Sequence, residues 1–225
     1  MPSSRLTANQ IGAALQFKRE VMFMDDFEQT IPYTITGTGA DFAAAIETGS
    51  VYIGTKGMLM STKLTTPAAD DYVSLAKKIC FGLSGRVVIR VRIGIVTIAH
   101  LKDFQVFISY CATTTGFKGG LKYDATVPDL KYYNSTGGWT GIAGTAYNFE
   151  DDAWITMEFQ IDMGTARYLP VTFGGHLFDF AGPYMKNMGA VNKRQMTIEF
   201  IATAAGANKA YLRLDSLYVG ELINI

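Results

Sequence analysis

The sequence predicts an all-β protein: two antiparallel sheets packed face to face as a β-sandwich, entered through a short N-terminal helical arm. Three observations carry this expectation. From Val21 onward apolar residues recur at every second position, the period of a half-buried strand, and helical spacing is confined to the first twenty residues. Of 225 residues, Gly contributes 23, Phe 14 and Tyr 12 while only 18% are charged, a balance that suits pleated chains with many turns. Neither a fixed-period repeat nor a linker divides the chain, so residues 21–225 read as one domain behind an arm of residues 1–20.

The arm carries helix start signals. Thr7 stands three residues before Gln10 as in a capping box, and Leu6 and Ile11 occupy the positions of a hydrophobic staple. Ile11, Ala14, Leu15 and Lys18 then share a face, with Lys18 and Arg19 at the negative end of the helix dipole. Such a face is too small for a core of its own. It predicts docking on the domain or on another molecule, with Leu6, Ile11, Leu15 and Phe17 as contact residues.

The strands follow in order. "VMFMDDFE" (21–28) opens the domain, and shorter strands are expected at 50–55, 57–63, 75–81, 120–124, 130–133, 166–173 and 176–180. "GRVVIRVRIGIVTIAH" sets Val87, Ile89, Val91, Ile93 and Ile95 against Arg86, Val88, Arg90 and Arg92. "KDFQVFISYCA" sets Phe104, Val106, Ile108 and Tyr110 against Asp103, Gln105, Phe107 and Ser109, and a turn near His100 would join the two as a hairpin. "AWITMEFQID" turns Ile155, Met157, Phe159 and Ile161 inward, away from Trp154, Thr156, Glu158, Gln160 and Asp162, and "QMTIEFIAT" does the same with Met196, Ile198 and Phe200. In "AYLRLDSLYVGELINI" the inward parity switches between Leu214 and Leu217, predicting a bulge near Asp215 and Ser216. Pairing this last strand with the first closes the sheet without a dangling end.

Taken in order, "MDDFE", "TGTGADF", "GSVYIGTKGMLMSTK", "WITMEFQID", "RYLPVTFGG" and "AYLRLDSLYVGEL" resemble the succession of elements in the concanavalin A-like lectin/glucanase jelly rolls, over residues 21–223. The resemblance implies a jelly roll. Its members include lectins, laminin-G-type modules, glycan-binding modules, glycosidases and outer decoration or fibre parts of viruses, among which fold alone does not choose.

Chemistry has few footholds. Lys and Arg number 20 against 20 Asp and Glu, so no global field draws in nucleic acid. No apolar run approaches a membrane span and the first twenty residues lack a secretory apolar region, so the expectation is cytoplasmic synthesis without membrane insertion. Cys80 and Cys111 sit in strand-like runs and read as free thiols. The alternating Glu-x-Asp-x-(x)-Glu run of the glucanases resembled here is absent; Glu158 and Asp162 are the nearest pair on one strand face, and a solvated surface is the simpler account of them. Calcium is considered at Asp151 and Asp152, where turn formation competes as an explanation. His100 and His176 lack zinc-ligand spacing, "GLSGR" is no nucleophile elbow and "GSVYIGTKG" no phosphate loop. Arg86, Arg90 and Arg92 form a basic stripe that an internally paired sheet face would explain equally.

The loop "YYNSTGGWTGIAGTAYNF" gathers Tyr132, Tyr133, Asn134, Trp139 and Tyr147. Exposed rings of this kind stack on sugars or make protein contacts; they could also simply close the end of the sandwich. The primary expectation is a non-enzymatic assembly protein without cofactor, a virion component such as a capsid decoration or cement protein, bound through its arm to itself and to a major capsid-type protein. A lectin or carbohydrate-binding module using the aromatic loop is the alternative. A glycoside hydrolase using Glu158 and Asp162 is the third.

Overall fold

The computed structural model describes residues 17–27, 33–39, 41–48, 52, 54–79, 85–112, 114–144, 146–178, 180, 182–191 and 195–224. Most of the described chain is strand: β1 Phe17–Asp25, β2 Thr34–Gly37, β3 Ala43–Thr48, β4 Lys56–Ser61, β5 Tyr72–Ile79, β6 Arg86–Ile95, β7 Leu101–Ala112 and β8 Thr115–Asp124. There follow β9 Asp129–Tyr133, β10 Trp139–Gly141, β11 Trp154–Asp162, β12 Arg167–Phe173, β13 His176–Phe178, β14 Lys186–Ala190, β15 Met196–Ala204 and β16 Tyr211–Asn224. They form two antiparallel sheets. The first runs β13-β12-β11-β6-β16-β4-β3, with β1 also paired to β16; the second runs β10-β9-β8-β7-β15-β5-β2, with β14 also paired to β8.

One apolar face per sheet meets the other. Val87, Ile89, Val91, Ile93 and Ile95 of β6 and Phe159 of β11 are buried from one side, Phe104, Val106 and Ile108 of β7 and Phe200 of β15 from the other. The closing strand behaves as its sequence predicts. β16 pairs with β1 from Asp25 opposite Leu217 to Phe17 opposite Asn224, and its register against β6 slips between Leu214 and Leu217, where the parity switch placed a bulge. At the last residue of β1, Asp25 is buried; its Oδ1 accepts the Phe27 N–H at 2.8 Å and its Oδ2 the Tyr33 hydroxyl at 2.5 Å.

Four expectations change. The N-terminal helix does not extend through residues 17–20: these are the start of β1, because the β16 edge beyond β4 offers them backbone partners that an isolated helical turn lacks. The strand region therefore begins at Phe17 rather than Val21, and Leu6, Ile11 and Leu15 lie outside the described residues. β6 and β7 are not a hairpin; β6 pairs with β11 and β16, β7 with β8 and β15, and the short helical turn Ile98–His100 carries the chain from one layer to the other. At the expected strand over 50–55, Tyr52, Gly54 and Thr55 are bends. Finally β2, β3, β10 and β14 arise where no strand was expected, at the sheet edges or, for β14, against one end of β8, where short length or exposed side chains leave little alternation to read.

Candidate functional site

β7, β8, β9 and β10 follow one another as a meander at one side of the second sheet. The β9–β10 register sets Tyr133 opposite Trp139, so both rings leave the sheet on its outer face. Phe107 joins them from β7, since its parity is opposite to that of the core residues Val106 and Ile108. The three rings touch pairwise. Phe107 lies 5.2 Å from Tyr133, edge to face, and 5.3 Å from Trp139; Tyr133 and Trp139 are 5.3 Å apart, also edge to face.

Two adjacent glycines of β8 make this platform fit. Gly120 stands opposite Phe107, and a Cβ there would come within 2.7 Å of both the Phe107 ring and the Val106 carbonyl. Gly119 faces inward, where a Cβ would lie 2.7 Å from the Tyr168 hydroxyl. That hydroxyl, reaching across from β12, accepts the Gly120 N–H at 2.7 Å and donates to the Tyr133 carbonyl at 2.8 Å. It satisfies the backbone where β8 changes partner from β14 to β9. Burial holds the Tyr168 phenol well above its ordinary pKa, outweighing the lowering effect of its backbone hydrogen bonds and keeping it a proton donor.

The β9–β10 turn is built by Asn134. Its Oδ1 accepts the Thr136 N–H at 3.1 Å, the Thr136 hydroxyl at 2.8 Å and the Gly138 N–H at 2.9 Å, while its Nδ2 donates to the Thr140 hydroxyl at 3.0 Å. Gly137, at φ 89°, completes the turn.

Lysines surround the rings. Lys118 places Nζ 3.9 Å from the Phe107 centroid and 3.8 Å from Glu199 Oε2, and Lys122 lies 5.1 Å over Trp139. Lys186, opposite Lys118 in the β14–β8 register, reaches the hairpin turn: a Cβ on Gly137 would meet its Nζ at 2.5 Å. Lys131 donates to Asp124 at 2.7 Å. Burial pushes the Asp124 carboxyl up, but the hydrogen bonds from Lys131 and Thr126 outweigh it and bring its pKa down to about 2.

The aromatic loop therefore divides. Tyr133 and Trp139 reach the outer face, whereas Tyr132 packs at 5.7 Å from Tyr168 and 4.9 Å from Phe180 on the inner side. Tyr147 closes one end of the core, 4.7 Å from Phe149 and 6.2 Å from Phe173. Asn134 shapes the turn with its side-chain amide already engaged. Phe107, Lys118 and Lys122 join the site without having been singled out, although an aromatic residue on the otherwise polar face of the 103–109 strand is a signal the sequence contains.

The other candidates are placed apart. Glu158 is buried, with Oε2 2.7 Å from Arg90 Nε and 2.5 Å from Arg90 Nη2, and is not the solvated residue expected. Asp162, on the same face of β11, accepts the Gly164 and Thr165 N–H groups at 3.0 and 3.1 Å. Asp151 accepts the Ile98 N–H at 2.7 Å and Asp152 pairs with Arg213 at 3.0 Å, so the two carboxylates serve different partners. Among the described residues no three His, Cys, Asp or Glu side chains gather as a metal site. Cys111 is buried and its Sγ donates to the Val191 carbonyl at 3.2 Å; Cys80 lies outside the described residues.

No protein-family model and no curated protein matches the chain. Solved structures do. A carbohydrate esterase from Shiga toxin-encoding bacteriophage phi24B superposes with a TM-score of 0.59 at 14% identity, covering 91% of this chain and 99% of the other. Basic winged bean lectin, solved with Tn-antigen, gives 0.57 at 12% identity over 91% and 99%, and the cellulose induced protein Cip1 gives 0.57 at 13% over 88% and 96%. The fold is thus that of the concanavalin A-like lectin/glucanase jelly rolls, as the order of elements implied.

Proposed function

We propose that this protein is a non-catalytic glycan-binding module that receives sugar rings on the Phe107–Tyr133–Trp139 platform. The observation that carries the reading is the gathering of three touching aromatic rings on an outer sheet face, built at the cost of a glycine that no side chain could replace without displacing Phe107. The C–H groups of a pyranose ring are weakly positive and meet the negative face of an aromatic ring, so a partly exposed Trp139 beside Tyr133 supplies a stacking surface. Lectins of the same fold support the choice by analogy. The non-catalytic part is supported by Glu158 and Asp162, which lie on the opposite sheet and are spent on Arg90 and a turn.

The test is binding to a glycan array, followed by titration of the best ligand. Trp139→Ala is expected to weaken binding at least about 30-fold while leaving the melting temperature within a few degrees, as for an anchor residue at the rim of a fold. Unchanged affinity in a folded variant would sink the proposal.

The virion assembly role is retained as a second reading, in which a decoration or cement protein contacts a capsid-type partner through its N-terminal residues. What favours it is that β1, which continues directly from those residues, is paired along its length with β16, so that a pull on the arm is borne by the whole first sheet. Light scattering of the full chain and of a version lacking residues 1–16 tests it; an oligomer lost on truncation is the expected result, and identical masses would count against self-assembly.

A further inference from the structure

The platform carries more positive charge than stacking on a neutral sugar requires. Lys118 and Lys122 lie over ring faces, and Lys186 reaches the hairpin turn beside them. Lys118 shares Glu199 with Ser74, whose hydroxyl donates to Oε1 at 2.7 Å. Among the described residues, neither Lys122 nor Lys186 is in an ion pair. An ammonium held on an aromatic face without a carboxylate is poised to exchange a weak cation–π contact for a shorter, stronger charge-assisted hydrogen bond when an anion arrives.

We infer that the site selects glycans bearing an anionic group, with Trp139 and Tyr133 stacking the sugar and Lys122 and Lys186 taking the charge. The inference rests on the glycan-binding reading above. A single-stranded nucleic acid also combines stacking with cations, but it needs a positive track along its backbone. Here Asp103, Asp124, Asp129 and Glu199 interrupt the lysines on the same sheet face, and the chain has as many acidic as basic residues. Isolated cations beside a ring suit one discrete negative substituent.

The experiment uses the full chain on an array of neutral, uronate-bearing, sialate-bearing and sulfate-bearing glycans, together with a single-stranded oligonucleotide, at about 50 and about 500 mM NaCl. The expected result is preference for one anionic class over its neutral counterpart, weakened at high salt and reduced about tenfold in each of Lys122→Gln and Lys186→Gln, as loss of a charge-assisted bond implies. Lys102→Gln, whose lysine pairs with the remote Asp70, is expected to bind like the parent. Neutral glycans bound as well as anionic ones, with both lysine variants unaffected, would overturn the charge selection and leave glycan binding standing. If no glycan is bound, or the oligonucleotide is preferred, both readings fall.

Discussion

The outer faces of the two sheets are built from the same materials and use them in opposite ways. Each seats a large ring over a glycine: Trp154 opposite Gly94 on the first sheet, Phe107 opposite Gly120 on the second. Each also carries a line of cations. On the first sheet carboxylates take up Arg90, paired with Glu158, and Arg213, paired with Asp152, while Arg92 lies over the Tyr52 ring at 4.5 Å. On the second, Lys118 and Lys122 rest on rings and Lys186 at a turn, and the rings themselves form a connected group of three. A face whose charges are already paired across neighbouring strands contributes rigidity, whereas one whose cations lie on aromatic carbon keeps attraction in reserve for a ligand.

Substitutions can sharpen this contrast. The largest effect is expected of Gly120→Ala, whose new methyl group meets backbone as well as ring at 2.7 Å; unfolding in urea should show a loss of about 3 kcal/mol, and the displaced Phe107 should weaken binding too. Next, Arg90→Ala leaves the buried Glu158 without its bidentate partner and should cost about 2 kcal/mol, while Lys122→Ala should change stability by less than about 0.5 kcal/mol. Equal costs would erase the distinction between the faces. The smallest effect concerns acid. Asp124 titrates at about 2, below its ordinary 3.8, so its pairing stabilises the fold above about pH 4 and that contribution disappears as the pH falls toward 2. A series of melting temperatures between pH 6 and pH 2 should decline less steeply over this window in Asp124→Asn than in the parent.

Much of the scaffold was legible because period-two alternation is a local property. The core faces of β6, β7, β11 and β15, the pairing of the first strand with the last and the bulge in β16 all follow from side-chain parity and the need to bury one face. Edge elements were harder: β2 and β14 are largely exposed, and exposure removes the alternation that announces a strand. The hairpin expected between β6 and β7 failed because sequence proximity says nothing about which layer a strand joins, and here a five-residue link spans the sandwich. The aromatic loop was noticed correctly as a concentration of rings, yet adjacent Tyr132 and Tyr133 were grouped although strand geometry must send them to opposite faces.

By itself, then, the sequence determined that residues beyond the arm form a two-sheet β-sandwich and which side of each long strand faces its core, since both depend on the apolar pattern within single segments. Only the tertiary structure decided that Phe107, Tyr133 and Trp139 share one surface with Lys118, Lys122 and Lys186. That meeting depends on registers between strands, on two glycines opposite bulky neighbours and on a tyrosine hydroxyl from the other sheet. Such contacts are set by distances across the fold, which no local periodicity encodes.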